Sequence, residues 1–234
     1  MRALTFILIL LITGISSFAQ SISAGVSYNY LYSKQLDKSI QLYNFSRPFL
    51  ENKQPLFING ITADVAFLFK NKKQIKHGII ATYSYFGSEA INENYTNRFN
   101  LHFINLNYVI RLSNEAKFKK LFGEIHVGLS SSALYRRVSG EFFLVDNEKS
   151  KSLGIGGNIG VKIGYQFYRH NMHQISPFIF FGYTPYLYAP KNEAVINATQ
   201  ELITKAYIYA LNFRIGFTYE IIKKKRNDEN IEIK

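Results

Sequence analysis

"YIYALNFRIGFTYEI", Tyr207 to Ile221, interleaves two unlike sequences. One is Tyr207, Tyr209, Leu211, Phe213, Ile215, Phe217, Tyr219 and Ile221. The other is Ile208, Ala210, Asn212, Arg214, Gly216, Thr218 and Glu220. A period of two belongs to a β-strand whose faces meet different surroundings. The run is long beside the usual strand of about five or six residues. Its two faces therefore ask which one meets solvent, and what that solvent is.

Working outward, the same alternation recurs and helical periodicity is almost missing. Strands are expected near 21–33, 57–69, 78–87, 98–112, 121–135, 153–167 and 177–188, before the final one at 207–221. Apolar rows such as Val26, Tyr28, Tyr30 or Ile159, Val161, Ile163 mark one face of each. The alternation slips near Phe103, which suggests a bulge. The stretch 177–188 is apolar on both faces and contains Pro185, so its facing stays open. Each run reaches the roughly 9 to 11 residues that cross a bilayer at a tilt.

Long connections (34–56, 88–97, 136–152, 189–205) alternate with short ones (70–77, 113–120, 169–174). That rhythm suits an up-and-down meander with tight turns at one end and free loops at the other. The expected fold is an all-β, up-and-down antiparallel transmembrane β-barrel of about eight strands. "SIQLYNF" in the first long connection leaves ten strands open, as a pairing extension above the membrane.

The start of the chain gives the compartment. "MRALTFILILLITGISSFAQ" has a basic start, a short apolar stretch and a small-x-small site at Ser17-Phe18-Ala19. This reads as a secretory signal peptide over 1–19, followed by a barrel over 20–222 and a hydrophilic tail over 223–234. The apolar stretch falls short of the roughly 20 residues of a spanning helix. Cysteine is absent, which removes disulfides and thiolate metal sites. Export makes nucleic acid an improbable partner for the net charge of +12.

The aromatics, 17 Tyr and 20 Phe with no Trp, collect at strand ends: Tyr30, Tyr32, Tyr83, Tyr85, Tyr207 and Tyr209 above, Tyr165, Phe167, Phe217 and Tyr219 below. Rings bordering an aliphatic band are the girdles of a lipid interface. The alternative is a soluble lipocalin-like ligand-binding barrel with the apolar face inside. Against it, the polar faces carry Gly, Ala, Ser, Asn and Thr rather than the Lys and Glu of a watered surface. The aromatic row is thus expected to face lipid, and Arg214 and Glu220 the interior.

An eight-stranded barrel is just wide enough to be filled by side chains, so no open pore is expected. The inward faces supply Asp64, Arg111, Glu124, His126, Lys162, Arg214 and Glu220. Charges enclosed there must be paired. The expected pairs are Asp64 with Arg214 and Arg111 with Glu124, with Lys162 beside His126, in a structural network. A lipid-modifying enzyme centred on His126 is the alternative from another class. "EIHVGLSSS" offers Ser130 and Ser132 on the same face, but Gly128 stands where lipid A deacylases place serine. The chain reads as no enzyme, with no catalytic residue, cofactor or metal assigned. His170 and His173 belong to a polar turn. The glycines of "GIGGNIG", Gly154 to Gly160, mark crowded inward positions rather than a nucleotide loop.

Basic residues crowd the short-turn end: Lys70, Lys72, Lys73 and Lys76, then Lys117, Lys119 and Lys120, Arg169, and Lys223 to Arg226. Lipid head groups are the expected contact, with a periplasmic protein partner as the sharper reading. The expected partners are the bilayer and lipopolysaccharide, and the barrel is expected to be a monomer.

"LHFINLNYVIRL", "LFGEIHVGLSSSALY", "LGIGGNIGVKIGYQF" and "ALNFRIGFTYEI", in that order, resemble the later hairpins of the PorT-like outer-membrane β-barrel family of Bacteroidota. The resemblance spans most of the mature chain. It implies the barrel fold and a Gram-negative outer-membrane location; the expected role is structural or interaction work at the envelope, a component of a secretion or envelope assembly being one form of it.

Overall fold

The computed structural model describes residues 19–48, 51–72, 75–92, 95–113, 120–140, 149–170, 172–189 and 207–223. Residues 1–18 of the expected signal peptide, most of the expected tail, and Lys73, Lys117 and Lys119 of the basic turns lie outside these residues, as does nearly all of the 189–205 connection.

The elements in chain order are β1 (Ser21–Tyr32), α1 (Lys34–Phe45), β2 (Asn59–Lys72), β3 (Ile75–Asn92), β4 (Tyr95–Ser113), β5 (Leu121–Gly140), β6 (Lys149–Tyr165), a short β7 (Tyr168–His170), β8 (His173–Tyr188) and β9 (Tyr207–Ile222). Each long strand pairs antiparallel with its neighbour in sequence. β1 pairs with β9, and β6 with β8, so the sheet closes. β7 only folds back on the start of β8 and does not cross the wall. The result is a closed eight-stranded up-and-down barrel with no free edge to template aggregation. "SIQLYNF" is not a ninth or tenth strand; it lies inside α1.

Facing follows the alternation. Val26, Ile61, Leu106, Leu129, Ile159 and Ile215 point outward and are exposed, while Ser27, Thr62, Asn107, Ser130 and Thr218 between them are buried. β8 resolves in the same way: Phe178, Phe180 and Thr184 face in, and Ile179, Phe181 and Tyr183 face out. Its register shifts between Thr184 and Leu187, around Pro185, whose ring nitrogen has no hydrogen to give the ladder. The shift turns Leu187 inward.

No bulge occurs at Phe103; the ladders of β4 with β3 and β5 run unbroken. The apparent slip is an inversion of meaning. Below it Ile104, Leu106, Tyr108 and Ile110 face out. Above it Phe99, Leu101 and Phe103 face in, while Arg98 faces out. β3 to β6 also rise beyond their expected upper ends, so residues 88–92 and 95–97 of the expected loop are strand.

Glycines in "GIGGNIG" and just beyond do mark crowding. A Cβ on Gly160 would lie 2.3 Å from the Phe180 ring, and one on Gly164 2.2 Å from Phe122. Gly157 is the exception, with nothing near it.

Candidate functional site

The lumen has two differently built ends. At the lower end, where the chain enters β1 and leaves β9, the registers align Lys76, Arg111, Glu124 and Lys162 as direct neighbours across β3 to β6. Lys76 opposite Arg111 is a like-charge pair, which alone would repel. Glu220 on β9 answers it from across the lumen. Its Oε2 accepts from Arg111 Nη1 at 2.5 Å, and its Oε1 from Lys76 Nζ at 3.1 Å. Glu124 takes Arg111 at 2.6 Å, His126 Nε2 at 2.8 Å and Lys162 at 3.8 Å. Lys162 also donates to Thr218 Oγ1 at 3.0 Å and stands 4.2 Å over the Phe178 ring. The two carboxylates thus serve three cations and a histidine, and all but Lys76 are buried. Each cation reaches a carboxylate, which is the condition for enclosing such charge.

The structure therefore brings Arg111, Glu124, His126, Lys162 and Glu220 together. It does not bring Asp64 and Arg214 into contact: no ion pair joins them among the described residues. The reason is register. Asp64 shares its row with Gly25 and Thr218, whereas Arg214 lies opposite Asn29 and Phe180. Asp64 folds its carboxylate over Gly25, where a Cβ would stand 2.5 Å from Oδ2. Arg214 instead lays its guanidinium 3.5 Å over the Phe180 ring, a cation–π contact. Lys76 was missed as an interior residue because it reads as one more turn lysine. Its even spacing from inward Gly78 and Ile80 was the available signal.

At the upper end, α1 and the segment after it close the lumen. Leu36, Ile40 and Tyr43 fall on one helical face at i, i+4 and i+7. They pack into a ring of inward strand residues that includes Leu31, Phe86, Phe99, Leu101, Leu134 and Ile208. Tyr43 and Phe57 both meet Phe99 edge-on, at 6.0 and 6.2 Å. A polar chain pins the plug to the wall. Asn44 and Gln54 exchange two hydrogen bonds, at 2.9 and 2.8 Å. Gln54 donates to Ser88 at 2.7 Å and accepts from Asn97 at 3.0 Å, and Arg136 donates to Asn97 at 3.0 Å. Ser88 in turn donates to the Pro55 carbonyl. The sequence reading missed this plug, although the Leu36, Ile40, Tyr43 spacing was visible.

Between the ends lies a band of small polar groups. Asn29, Thr62 and Ser84 bond one another at 2.8 to 3.5 Å, and Asn158 donates to Asn107 at 3.1 Å. His126 is fully buried, with Nε2 on Glu124 and Nδ1 without a partner. Among the described residues no cluster of three His, Cys, Asp or Glu could hold a metal.

These features define a class: a closed, plugged eight-stranded barrel with an apolar exterior and a charged interior. No family model matches the chain, and no curated protein matches it. Among solved structures it is similar to Ail, the attachment invasion locus protein of Yersinia pestis, at 9% identity and a TM-score of 0.46, over 86% of this chain and 98% of that one. Neisserial surface protein A is similar at 8% identity and a TM-score of 0.44, over 87% and 96%. The outer membrane protease OmpT of Escherichia coli is similar at 10% identity and a TM-score of 0.41, over 88% and 97%. Likeness at this level concerns fold alone. It does correct one expectation, that the chain is no enzyme. A protease stands among the similar barrels, so this architecture does not separate enzymes from other proteins.

Proposed function

We propose that this chain is an integral outer-membrane protein that presents a sealed, rigid barrel at the cell surface and works there through contact rather than conduction. The observation that carries the reading is the exterior. Outward residues from Ile104 to Leu112 on β4 are apolar, and at about 3.3 Å per residue and about 40° of tilt they cover about 20 Å of height. That approaches the roughly 25 Å apolar band of outer-membrane barrels. Aromatic rings border the band: Tyr28, Tyr30, Tyr83, Tyr183 and Tyr209 above, Phe167, Tyr165 and Tyr219 below. Exposed apolar surface on this scale far exceeds what a soluble monomer shows. A lipocalin-like carrier would have the opposite facing, with the charged row in water.

Export by residues 1–19 and a periplasmic tail at 223–234 complete the reading, with both barrel ends of the chain at the lower, periplasmic side. Membership of the PorT-like barrels of Bacteroidota rests on the sequence resemblance, and with it the role in a secretion or envelope assembly. The bilayer and lipopolysaccharide are the surrounding partners, and the lower basic turns are the surface for a periplasmic one. The barrel acts as a monomer.

The test is a gel of the outer-membrane fraction, boiled against unboiled, with a planar-bilayer recording of the purified barrel. A mobility shift on boiling and no steady conductance are expected. A protein recovered in the soluble fraction without detergent would sink the membrane reading; a stable open channel would sink the sealed one.

A further inference from the structure

Between the plug and the ionic layer, four inward side chains stand side by side. The registers set Asp64 opposite Thr82, Thr82 opposite Asn105, and Asn105 opposite Ser130. Each carries a buried oxygen with no hydrogen-bond partner among the described residues: Asp64 Oδ1, Thr82 Oγ1, Asn105 Oδ1 and Ser130 Oγ. Arg214 reaches in from β9 over the Phe180 ring, and its Nε is likewise without a partner. His126, edge-on to the same ring at 5.2 Å, adds an unpartnered Nδ1. Asp64 and Arg214 act on each other through their charges, yet no ion pair joins them. Of these six residues, all but Asn105 are buried. Asn105 faces inward between the exposed Ile104 and Leu106 and still keeps accessible surface, which inside a closed wall is open space in the lumen. Enclosed polar groups are rarely left unpaired, and enclosed charges least of all.

From this arrangement we infer an internal water site that joins Asp64 to Arg214 as a water-separated ion pair. The charges select the occupant. An anion held by Arg214 would face the Asp64 carboxylate, and a cation held by Asp64 would face the guanidinium. The pair is neutral as a whole, so the occupant is neutral too. It must accept from Arg214 Nε and donate to Asp64 Oδ1, and water does both. An enclosed water needs about two to four polar partners, and Thr82, Asn105 and Ser130 supply further ones along the row. A bridge of this kind is nearly as good in enthalpy as a direct hydrogen bond. It allows the wall to enclose two charges whose register keeps them from touching. The site goes beyond the contact reading above and does not depend on the membrane.

The first test is a crystal structure of the full barrel in detergent, grown in bromide salt. Water is expected within hydrogen-bond reach of Arg214 Nε, linked to Asp64 Oδ1 directly or through one further water, with no anomalous bromide peak. A bromide peak on Arg214, or direct contact between carboxylate and guanidinium, overturns the site. The second test is ¹⁵N-edited NMR in micelles. The Arg214 Nε–H should show a cross-peak to water, and the Arg111 Nε–H, which donates to Glu124 at 2.6 Å, should show none. In Asp64→Asn, first shown to keep its mobility shift on boiling, the Arg214 signal should move and its water cross-peak should weaken. No water cross-peak at Arg214 in wild type, or an undiminished one in Asp64→Asn, overturns the bridge. Recovery of the protein in the soluble fraction would sink the membrane reading and leave the bridge standing.

Discussion

The two ends of the lumen are closed by different physics. The lower end is closed by charge: five ionic side chains from five strands, held at register positions of the wall itself. The upper end is closed by apolar packing, and its key residues, Ile40 and Tyr43, come from a segment that is not part of the wall. A layer whose members all belong to the ladder should share the fate of the whole barrel. A plug inserted into a finished barrel can leave without it, as a separate cooperative unit.

The largest expected effect tests the lower half of that contrast. Glu124→Gln removes the carboxylate shared by Arg111, Lys162 and His126 while keeping its shape. Breaking a buried ion pair from one side costs about 3–5 kcal/mol. The unboiled band should therefore lose its compact mobility at a distinctly lower temperature, measured as a melting series on the gel. A variant that melts with wild type would show that the layer fills space without holding the wall.

The plug comes next. Ile40→Ala together with Tyr43→Ala should weaken packing by several kcal/mol, since each large-to-small change in a core costs about 2–5 kcal/mol. Here the loss should be local. Limited proteolysis should cut within residues 34–56, and the compact mobility of the unboiled barrel should persist. Joint loss of both readouts would mean that plug and wall fold as one unit.

The same contrast explains what could be read from the sequence. Facing was legible wherever one surface is apolar and the other polar, because the period of two leaves only two choices. The Arg111–Glu124 neighbourhood was legible because a short turn joins their strands. Partners across the lumen were not: Glu220 meets Arg111 from a distant strand, and no local pattern encodes that meeting. Asp64 with Arg214 failed for the related reason that height was judged without shear. The slip produced by Phe99, Leu101 and Phe103 suggested a bulge only on the assumption of one solvent along the whole strand. Their outward neighbours leave the apolar belt at that height, and their own face meets the plug, so apolar and polar exchange sides.

Two double-mutant cycles sharpen this at smaller scale. Arg111 and Glu220 touch at 2.5 Å, so substitutions to Met and Gln should couple by about 0.5–3 kcal/mol in thermal stability. Asp64→Asn and Arg214→Met, which share no ion pair but act on each other through their charges, should couple more weakly than Arg111 with Glu220. Strong coupling between the second pair would mean that the charges of the middle lumen sense each other through Phe180 and the small polar groups around it.

The smallest expected effect isolates solvent from geometry. Arg98 meets Glu89 at 2.6 Å, the same distance that separates Arg111 from Glu124. The first pair is on the outer rim, with Arg98 half exposed at 51%; the second is sealed in the lower lumen at 5% and 3%. In water the Coulomb gain is screened and offset by the entropy of holding two long side chains, so an exposed pair contributes about 0–1 kcal/mol. Glu89→Gln should therefore shift the melting series little, and added salt should erase the shift. Its enclosed counterpart should keep its effect in salt, because neither water nor ions reach it. If the two substitutions responded alike to salt, the lower lumen would be open to solvent and the distinction between its two ends would fall.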